Sequence, residues 1–114
     1  MSRRTYLIVV NGRPIGMIQT YLVSDYPDWE EVVHVGLDVA GVDLLIGEEE
    51  LIGRGLGPEI LVAFTRDHVV VSSVVATVEE DNRRSWRAFE KAGFLYVRDV
   101  EEDGKPHRLL RFDR

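Results

Sequence analysis

The stretch GVDLLIGEEELIGRGLGPEI, residues 41–60, decides the fold because it predicts a strand, a glycine-rich turn and the start of a helix in direct succession. Val42–Gly47 is apolar apart from one acid and predicts a buried strand. The turn that follows alternates glycine with other residues, at Gly53, Gly55 and Gly57. Pro58 then suits the first turn of a helix, where its missing N–H costs nothing.

Two interpretations of the glycine turn are open. Glycines let a ligand approach the backbone, and the amides and dipole of a helix N-terminus favour an anion. The spacing, however, matches neither the GxxxxGK[ST] nor the GxGxxG phosphate-binding pattern. Taken alone, residues 51–60 form either a phosphate site or an ordinary loop between a strand and a helix.

Upstream of this stretch the sequence predicts a β-hairpin. TYLIVV and IGMIQTYLV, residues 5–10 and 15–23, are apolar runs on either side of an Asn11-Gly12 turn signal. SDYPDWEE, residues 24–31, is polar and interrupted by proline, which predicts a loop. VVHVGLDVAG, residues 32–41, alternates in a way that suits an extended edge segment.

Downstream, helical and extended patterns alternate. Helices are predicted for PEILVAFTRDHV (58–69) and EDNRRSWRAFEKAGF (80–94), and Gly93 is a natural C′ glycine for the second. Strands are predicted for VVVSSVVATV (69–78), FLYVRDV (94–100) and RLLRFDR (108–114). The expected order is β-β-β-α-β-α-β-β, which is a single α/β (α+β) domain over residues 1–114, with a mixed, mostly antiparallel sheet and two helices.

Composition excludes several classes of protein. The chain has 114 residues, 45% of them hydrophobic and 30% charged, as in a globular domain. It has no cysteine and three scattered histidines, so we expect no disulfide, no cysteine nucleophile and no metal site. Its apolar runs fall far short of the roughly 20 residues of a membrane span. A cytoplasmic protein that does not act at a membrane is the expectation.

Charge is distributed unevenly along the chain. The net charge of −6 argues against binding to nucleic acid, because no basic stripe is available to replace phosphate counterions. No Lys or Arg occurs between Arg13 and Arg54, whereas nine acids do: Asp25, Asp28, Glu30, Glu31, Asp38, Asp43, Glu48, Glu49 and Glu50. This acidic half either attracts a cationic ligand or is simply a solvated face.

A second motif gives the glycine turn a context. NRRSWRAFEKAGF, residues 82–94, follows the turn, and together IGRGLG and this helix resemble the signature of the GNAT superfamily of N-acetyltransferases. GVDLLIGEEELIGRGLG is similar to the branch that contains aminoglycoside 6′-N-acetyltransferases and siderophore lysine N-acyltransferases. The resemblance implies a GNAT-like fold and an antibiotic-resistance type of activity.

The resemblance implies acetyl-CoA as the acetyl donor. Backbone amides at Arg54, Gly55, Leu56 and Gly57 would hold its pyrophosphate, and the Arg54 side chain would add charge. The strand backbone near Leu45 and Ile46 would bind the pantetheine arm. Asn82 matches an asparagine that commonly contacts this arm. Each residue also has a structural alternative, and for Asn82 that alternative is an N-cap.

The reaction implied is attack of a neutral amine on the acetyl-CoA thioester, for which a base must first remove a proton from the ammonium group. Asp43 matches the aspartate proposed as base in the aminoglycoside branch. Its neighbours Val42 and Leu44 should face the other side of the sheet, which leaves Asp43 free to face a cleft. The alternative is a structural aspartate paired with an arginine of a neighbouring strand.

The expected general acid is missing. Family members often carry a tyrosine seven residues after the asparagine, and this chain has Phe89 there. The Tyr96 hydroxyl is a possible replacement. A thiol with a pKa of about 8.5 also leaves as thiolate without assistance.

For the acceptor, the resemblance aligns SDYPDWEE loosely with a loop that contacts the drug in the aminoglycoside branch. Asp25, Asp28 and Glu30 would bind ammonium groups, and Trp29 would stack on a sugar or a cation. The alternative is a surface loop with Trp29 folded onto the core. The acceptor expected is therefore a cationic amine, with aminoglycosides as the lead class.

The N-terminus departs from the family pattern, because members usually place a strand and two helices before the first hairpin. Three interpretations are open: the chain is a fragment, a shortened protein, or a protein whose partner supplies the missing strand and helices. An uncovered sheet edge also predicts a homodimer. Besides the aminoglycoside enzyme, two functions remain: an N-acyltransferase for a protein, peptide or siderophore lysine amine, and a non-catalytic acyl-CoA-binding or interaction domain.

Overall fold

The structure, a computed structural model, describes residues 3–33, 35, 38–47 and 56–114. The strands in this part of the chain are β1 Arg4–Val10, β2 Arg13–Leu22, β3 Val39–Ile46, β4 Ser73–Glu79, β5 Leu95–Glu102 and β6 Lys105–Asp113. The helices are α1 Pro27–Val33, α2 Leu56–His68 and α3 Arg83–Lys91, and a single 3₁₀ turn, Val23–Asp25, precedes α1.

All six of these strands join one sheet in the order β1-β2-β3-β4-β6-β5. Every neighbouring pair is antiparallel except β3 and β4, which run parallel. Tight turns connect β1 to β2 and β5 to β6, each with a non-glycine residue at positive φ (Asn11, Asp103) followed by a glycine (Gly12, Gly104). The expected mixed, mostly antiparallel α/β sheet is confirmed.

The parallel pair β3–β4 is short. It is in register only where Val39, Ala40 and Gly41 face Ser73, Val74 and Val75. Beyond these positions β3 continues to Ile46 and β4 to Glu79 without pairing to one another. The two strands therefore diverge and leave a gap in the middle of the sheet.

The sheet is covered by helices on both faces. On one face α2 and α3 pack over a core that includes Val42, Leu61 and Phe89. On the other face Tyr21, Val23 and Val33 form a second buried cluster, against which Trp29 of α1 packs. Side chains of β3 alternate between the two faces, so one strand serves both clusters.

Two expectations about the segment before β3 were wrong. Residues 27–33 form a helix, where a loop was predicted, so the described chain has three helices and not two. Residues 32–33, predicted to be extended, belong to this helix, and the strand β3 runs from Val39. Pro27 fits a first helical turn, and Asp28 and Glu30 there complement the helix dipole. Val33, one turn after Trp29, is fully buried and anchors the helix.

None of the helices in the described ranges is long and apolar enough to cross a membrane.

Gly41, the last residue of β3 that pairs with β4, provides space for an aromatic ring. Gly41 lies opposite Tyr21 of β2, and a Cβ placed on it would approach the Tyr21 ring to 2.4 Å. Tyr21 is 8% exposed and its ring meets that of Tyr26 edge-on at 5.4 Å. The ring has little room to withdraw, so residue 41 must lack a side chain.

We predict that Gly41→Ala lowers the free energy of unfolding by about 1–3 kcal/mol, the usual cost of overpacking a core. The reduced entropy of the unfolded chain, worth about 0.4–1 kcal/mol for Gly→Ala, would not offset this cost. Gly47→Ala is the matched control, because among the described residues its new Cβ would meet only the Ile15 carbonyl oxygen, at 3.6 Å. Urea denaturation measures both variants, and equal stability of the two would contradict the packing argument.

Candidate functional site

The gap between β3 and β4 opens into two adjoining cavities. The first has a volume of about 200 Å³ and is lined by β3 at Leu45 and Ile46, by Gly57 of α2 and by Arg84 of α3. The second has a volume of about 230 Å³ and reaches from Asp43 across the gap to β4, β5 and β6. Leu44, Asn82 and Ser85 line both cavities, so a ligand could extend from one into the other.

Asp43 lines the second cavity together with Val42 and Leu44, and strand alternation turns its side chain away from the helices. Val42 is buried under the helices at 1% exposure, and Leu44 packs against the same core, whereas Asp43 is exposed on the opposite face. The Gln19 side chain of β2 donates a hydrogen bond from Nε2 to Asp43 Oδ2 at 2.7 Å. Among the described residues, the hydrogen-bond partner of Asp43 is thus an amide, whereas the structural alternative expected an arginine of a neighbouring strand.

The Gln19 amide is itself oriented by β1. The Thr5 hydroxyl lies 3.3 Å from Gln19 Oε1 and donates to it. A donor on Oε1 leaves the Gln19 NH₂ group directed toward β3, where it meets the carboxylate. Two strands, β1 and β2, therefore contribute one side chain each to fixing the Asp43 carboxylate of β3.

Tyr21 links Asp43 to α1. Burial and, to a lesser extent, the negative charge of Asp43 raise the pKa of the Tyr21 hydroxyl above its ordinary value, while a hydrogen bond with Trp29 acts in the opposite direction. The Arg3 guanidinium lies 5.3 Å from the ring centroids of both Tyr21 and Tyr26. An intramolecular cation thus already occupies the aromatic surface beside α1.

The far wall of the second cavity carries residues that no motif in the sequence indicated. Glu79 of β4, Glu102 of β5 and His107 of β6 line it. Glu102 Oε2 is 3.3 Å from His107 Nε2 and 3.4 Å from the Thr77 hydroxyl. With Asp43 the cavity contains three carboxylates and one imidazole. Only the β4–β6 and β5–β6 registers bring these residues together, and no local pattern encodes a register.

Asn82 combines a structural role with a place at the site. Its side-chain oxygen accepts from the Ser85 backbone N–H at 3.4 Å, and its φ and ψ are non-helical, so it is the N-cap of α3. It also lines both cavities. The two interpretations of Asn82 are compatible, because the cap places the residue where the cavities meet.

The glycine turn is only partly described. Arg54 and Gly55, predicted to bind pyrophosphate, lie outside the described residues, whereas Leu56 and Gly57 begin α2. Gly57 is buried and lines the first cavity, and a Cβ on it would come within 3.1 Å of the Ala88 side chain. Gly57 therefore lets the start of α2 approach α3 beside this cavity. Leu45 and Ile46 line the same cavity.

Phe89, at the usual position of the general acid, and Tyr96, the possible replacement, lie in different places. Phe89 lines the second cavity, is 2% exposed, and packs edge-on against Phe94 at 5.1 Å. Tyr96 is 46% exposed, lines neither cavity, and donates its hydroxyl to Asp99 Oδ1 at 2.8 Å. That hydrogen bond is the main cause that raises the Tyr96 pKa. Tyr96 therefore does not replace the missing hydroxyl at residue 89.

The acidic segment at α1 is on the same face as Asp43 but lines neither cavity. Asp25 and Asp28 are exposed, and Glu30 accepts a hydrogen bond from the Val35 backbone at 3.1 Å. Trp29 packs against the second buried cluster, as the structural alternative expected. The structure does not bring these four residues together with the carboxylates of the second cavity.

Comparison with known families and proteins gives a consistent result. The acetyltransferase (GNAT) domain family matches residues 2–102. Aminoglycoside N(6′)-acetyltransferase type 1 from Klebsiella pneumoniae and that from Serratia marcescens are each 34% identical to the chain over 94 residues. The match covers 78% of this chain and 46% of each relative, so the chain spans about half the length of these curated relatives.

Solved structures agree with the sequence matches. The aminoglycoside acetyltransferase AAC(6′)-Ib in complex with coenzyme A superposes with a TM-score of 0.83 at 30% identity, over 99% of this chain and 67% of that one. The structure of AAC(6′)-Ib with paromomycin and acetyl-CoA gives the same TM-score and identity, over 66% of that chain.

Proposed function

Since the chain belongs to the acetyltransferase (GNAT) domain family, we propose that it transfers an acetyl group from acetyl-CoA to a primary amine of a cationic small molecule. An aminoglycoside is the lead acceptor class, because the matched relatives act on aminoglycosides. The observation that carries the proposal is the pair of adjoining cavities where β3 and β4 diverge. One suits the donor, and the other, with its three carboxylates, suits a cationic acceptor.

The first cavity provides what a CoA arm needs. Beyond Gly41 the edge of β3 that faces β4 has no strand partner among the described residues, so backbone groups near Leu45 and Ile46 are available to the amides of pantetheine. The start of α2 and the Arg84 side chain lie at the same cavity and favour an anion. We assign the pyrophosphate to this end, with Leu56 and Gly57 from α2, and with Arg54 and Gly55 as predicted. Asn82 would contact the arm where the cavities meet.

Asp43 is the proposed catalytic base. Its carboxylate faces the second cavity and is held by Gln19, so it can accept a proton from the ammonium group of the acceptor before attack on the thioester. A carboxylate in this position also attracts the cation electrostatically. Asp43 thus serves both to bind the amine and to activate it.

The role of α1 in acceptor binding stays a prediction. The segment with Asp25, Asp28, Trp29 and Glu30 lies on the face of the sheet onto which Asp43 opens, and Tyr21 is close enough to interact with both Trp29 and Asp43. A large polyamine bound at Asp43 could therefore extend toward α1. The cytoplasmic location expected from the sequence likewise remains a prediction.

One observation favours a function of another class. Phe89 leaves the second cavity without the hydroxyl that would protonate a departing thiolate, as expected of a domain that binds acyl-CoA without turnover. A lysine amine of a protein, peptide or siderophore is a further acceptor for the same chemistry. A panel of acceptors separates these possibilities.

The deciding experiment incubates the protein with acetyl-CoA and a panel of aminoglycosides, polyamines and lysine peptides, and follows free CoA with a thiol reagent. We expect Asp43→Asn to lower turnover about 100-fold or more, the scale of general base catalysis, and to leave CoA affinity unchanged. Asp103→Asn, in the turn between β5 and β6, is the matched control. Binding of CoA without thiol release from any acceptor would favour the non-catalytic domain, and full activity of Asp43→Asn would remove Asp43 from the mechanism.

Arg84 provides a separate test of the donor site. We expect Arg84→Gln to weaken CoA binding about 3- to 10-fold at low salt, with a smaller effect at high salt, because an exposed charge on a phosphate is screened by ions. Arg87→Gln removes the same charge from the same helix at an exposed residue that does not line the cavity. Isothermal titration with CoA measures both, and equal affinities would place the phosphates elsewhere.

A homodimer is also proposed, through the free edge of the sheet. In the described part of the chain β1 has a strand neighbour on one side only, and the nearby apolar side chains of Leu7, Val9, Met17 and Leu45 are exposed. We expect sedimentation equilibrium to give a dimer whose dissociation constant rises in Leu7→Lys. A concentration-independent monomer would exclude this assembly.

A further inference from the structure

His107 is a titratable group of the second cavity for which the mechanism above has no role. Its side chain is 12% exposed, and it is held on both sides: Nδ1 lies 3.0 Å from the Lys105 carbonyl oxygen and Nε2 lies 3.3 Å from Glu102 Oε2. Both partners are hydrogen-bond acceptors. A ring that carries a proton on each nitrogen satisfies both contacts, and such a ring can give up the proton on Nε2.

The charges around His107 are mostly negative. Glu102 of β5 contacts it, Glu79 of β4 is its cross-strand partner, and Asp43 of β3 lines the same cavity. A positive group nearby is Lys105 on its own strand, whose Nζ is 3.4 Å from Glu79 Oε1. Glu102 and Glu79 thus lie beside the imidazole, and Asp43 lies on the wall of the same cavity.

The thiolate can leave unaided, but a proton supplied at the departing sulfur speeds the proposed reaction. Phe89 has none to give, and Tyr96 lies outside the cavity with its hydroxyl bonded to Asp99. Hydroxyl and amide side chains that line the cavity do not ionise near neutral pH, and carboxylic acids have ordinarily lost their proton there. Among the described lining residues, His107 is the side chain suited to donate a proton at neutral pH.

We propose that His107 donates the proton on Nε2 to the sulfur of CoA as the acetyl group leaves, which supplies the acid that Phe89 lacks. This role rests on the proposed acetyl transfer. The ammonium group gives one proton to Asp43, and the free amine forms the C–N bond to the thioester carbon. The C–S bond breaks with its electron pair on sulfur, which takes the proton from His107. The new amide nitrogen and Asp43 each release a proton to water, and the imidazole takes one back, so one proton is released per turnover.

The test compares His107→Gln with His68→Gln, the same substitution at a histidine that stacks on Phe64 away from both cavities. We expect His107→Gln to lower kcat about tenfold or more, with acceptor and acetyl-CoA KM values within threefold of wild type. In the wild type the rate should fall with rising pH as the imidazole loses its proton, and this fall should be absent in His107→Gln. His68→Gln should behave as wild type in each respect.

Glu102→Gln is a second, isosteric variant that leaves the imidazole in place. Loss of the adjacent negative charge makes the ring release its proton more readily, so the fall in rate should move to lower pH. If His107→Gln does not fold, this shift decides the question alone, and an unchanged profile would overturn the role. Unaltered kcat in a folded His107→Gln, or a loss confined to acceptor KM, would also overturn it while leaving acetyl transfer intact. A wild-type protein without turnover on any acceptor would overturn both.

Discussion

The divergence of β3 and β4 is the constraint on which the rest of the structure depends. The two parallel strands pair only through Val39–Gly41 and Ser73–Val75. Each strand can leave the other because it has an outer neighbour: β2 pairs with β3 as far as Ile46, and β6 pairs with β4 as far as Glu79. An unpaired backbone edge would otherwise be costly in the interior of a sheet, so a gap of this kind is stable only where solvent or a ligand satisfies it.

The gap also determines which residues meet. Phe89 closes it from the helix face, where it packs in the core with Val42 and Val78. Asn82 caps α3 at the point where the two cavities join, so a residue needed for the helix also contributes to the site. The short helix α3 therefore covers the gap on the helix face of the sheet and forms a wall of both cavities.

Local patterns in the sequence predicted the parts of the site that depend on local structure. The alternation around Asp43, the cap at Asn82 and the start of α2 after a glycine turn each involve residues close in the chain. Glu102 and His107 are different, because they approach Asp43 only through strand registers that join β4, β5 and β6. The helix at residues 27–33 was missed for another reason: its buried contacts are few, and Trp29 and Val33 gain a partner only once the sheet exists.

Alternation along β3 explains how one strand could serve donor and acceptor together. A strand that binds a ligand through its backbone edge keeps its side chains free, and successive side chains point to opposite faces. Val42 and Leu44 pack beneath α2 and α3, while the Asp43 carboxylate lies at the second cavity. Backbone hydrogen bonds to a CoA arm, with the proposed contacts of Asn82 and Arg84, would then hold the thioester beside Asp43. On the proposed function, replacing Asp43 should therefore affect the acceptor and the chemistry, whereas affinity for the donor should depend on the divergence of the strands and on Arg84.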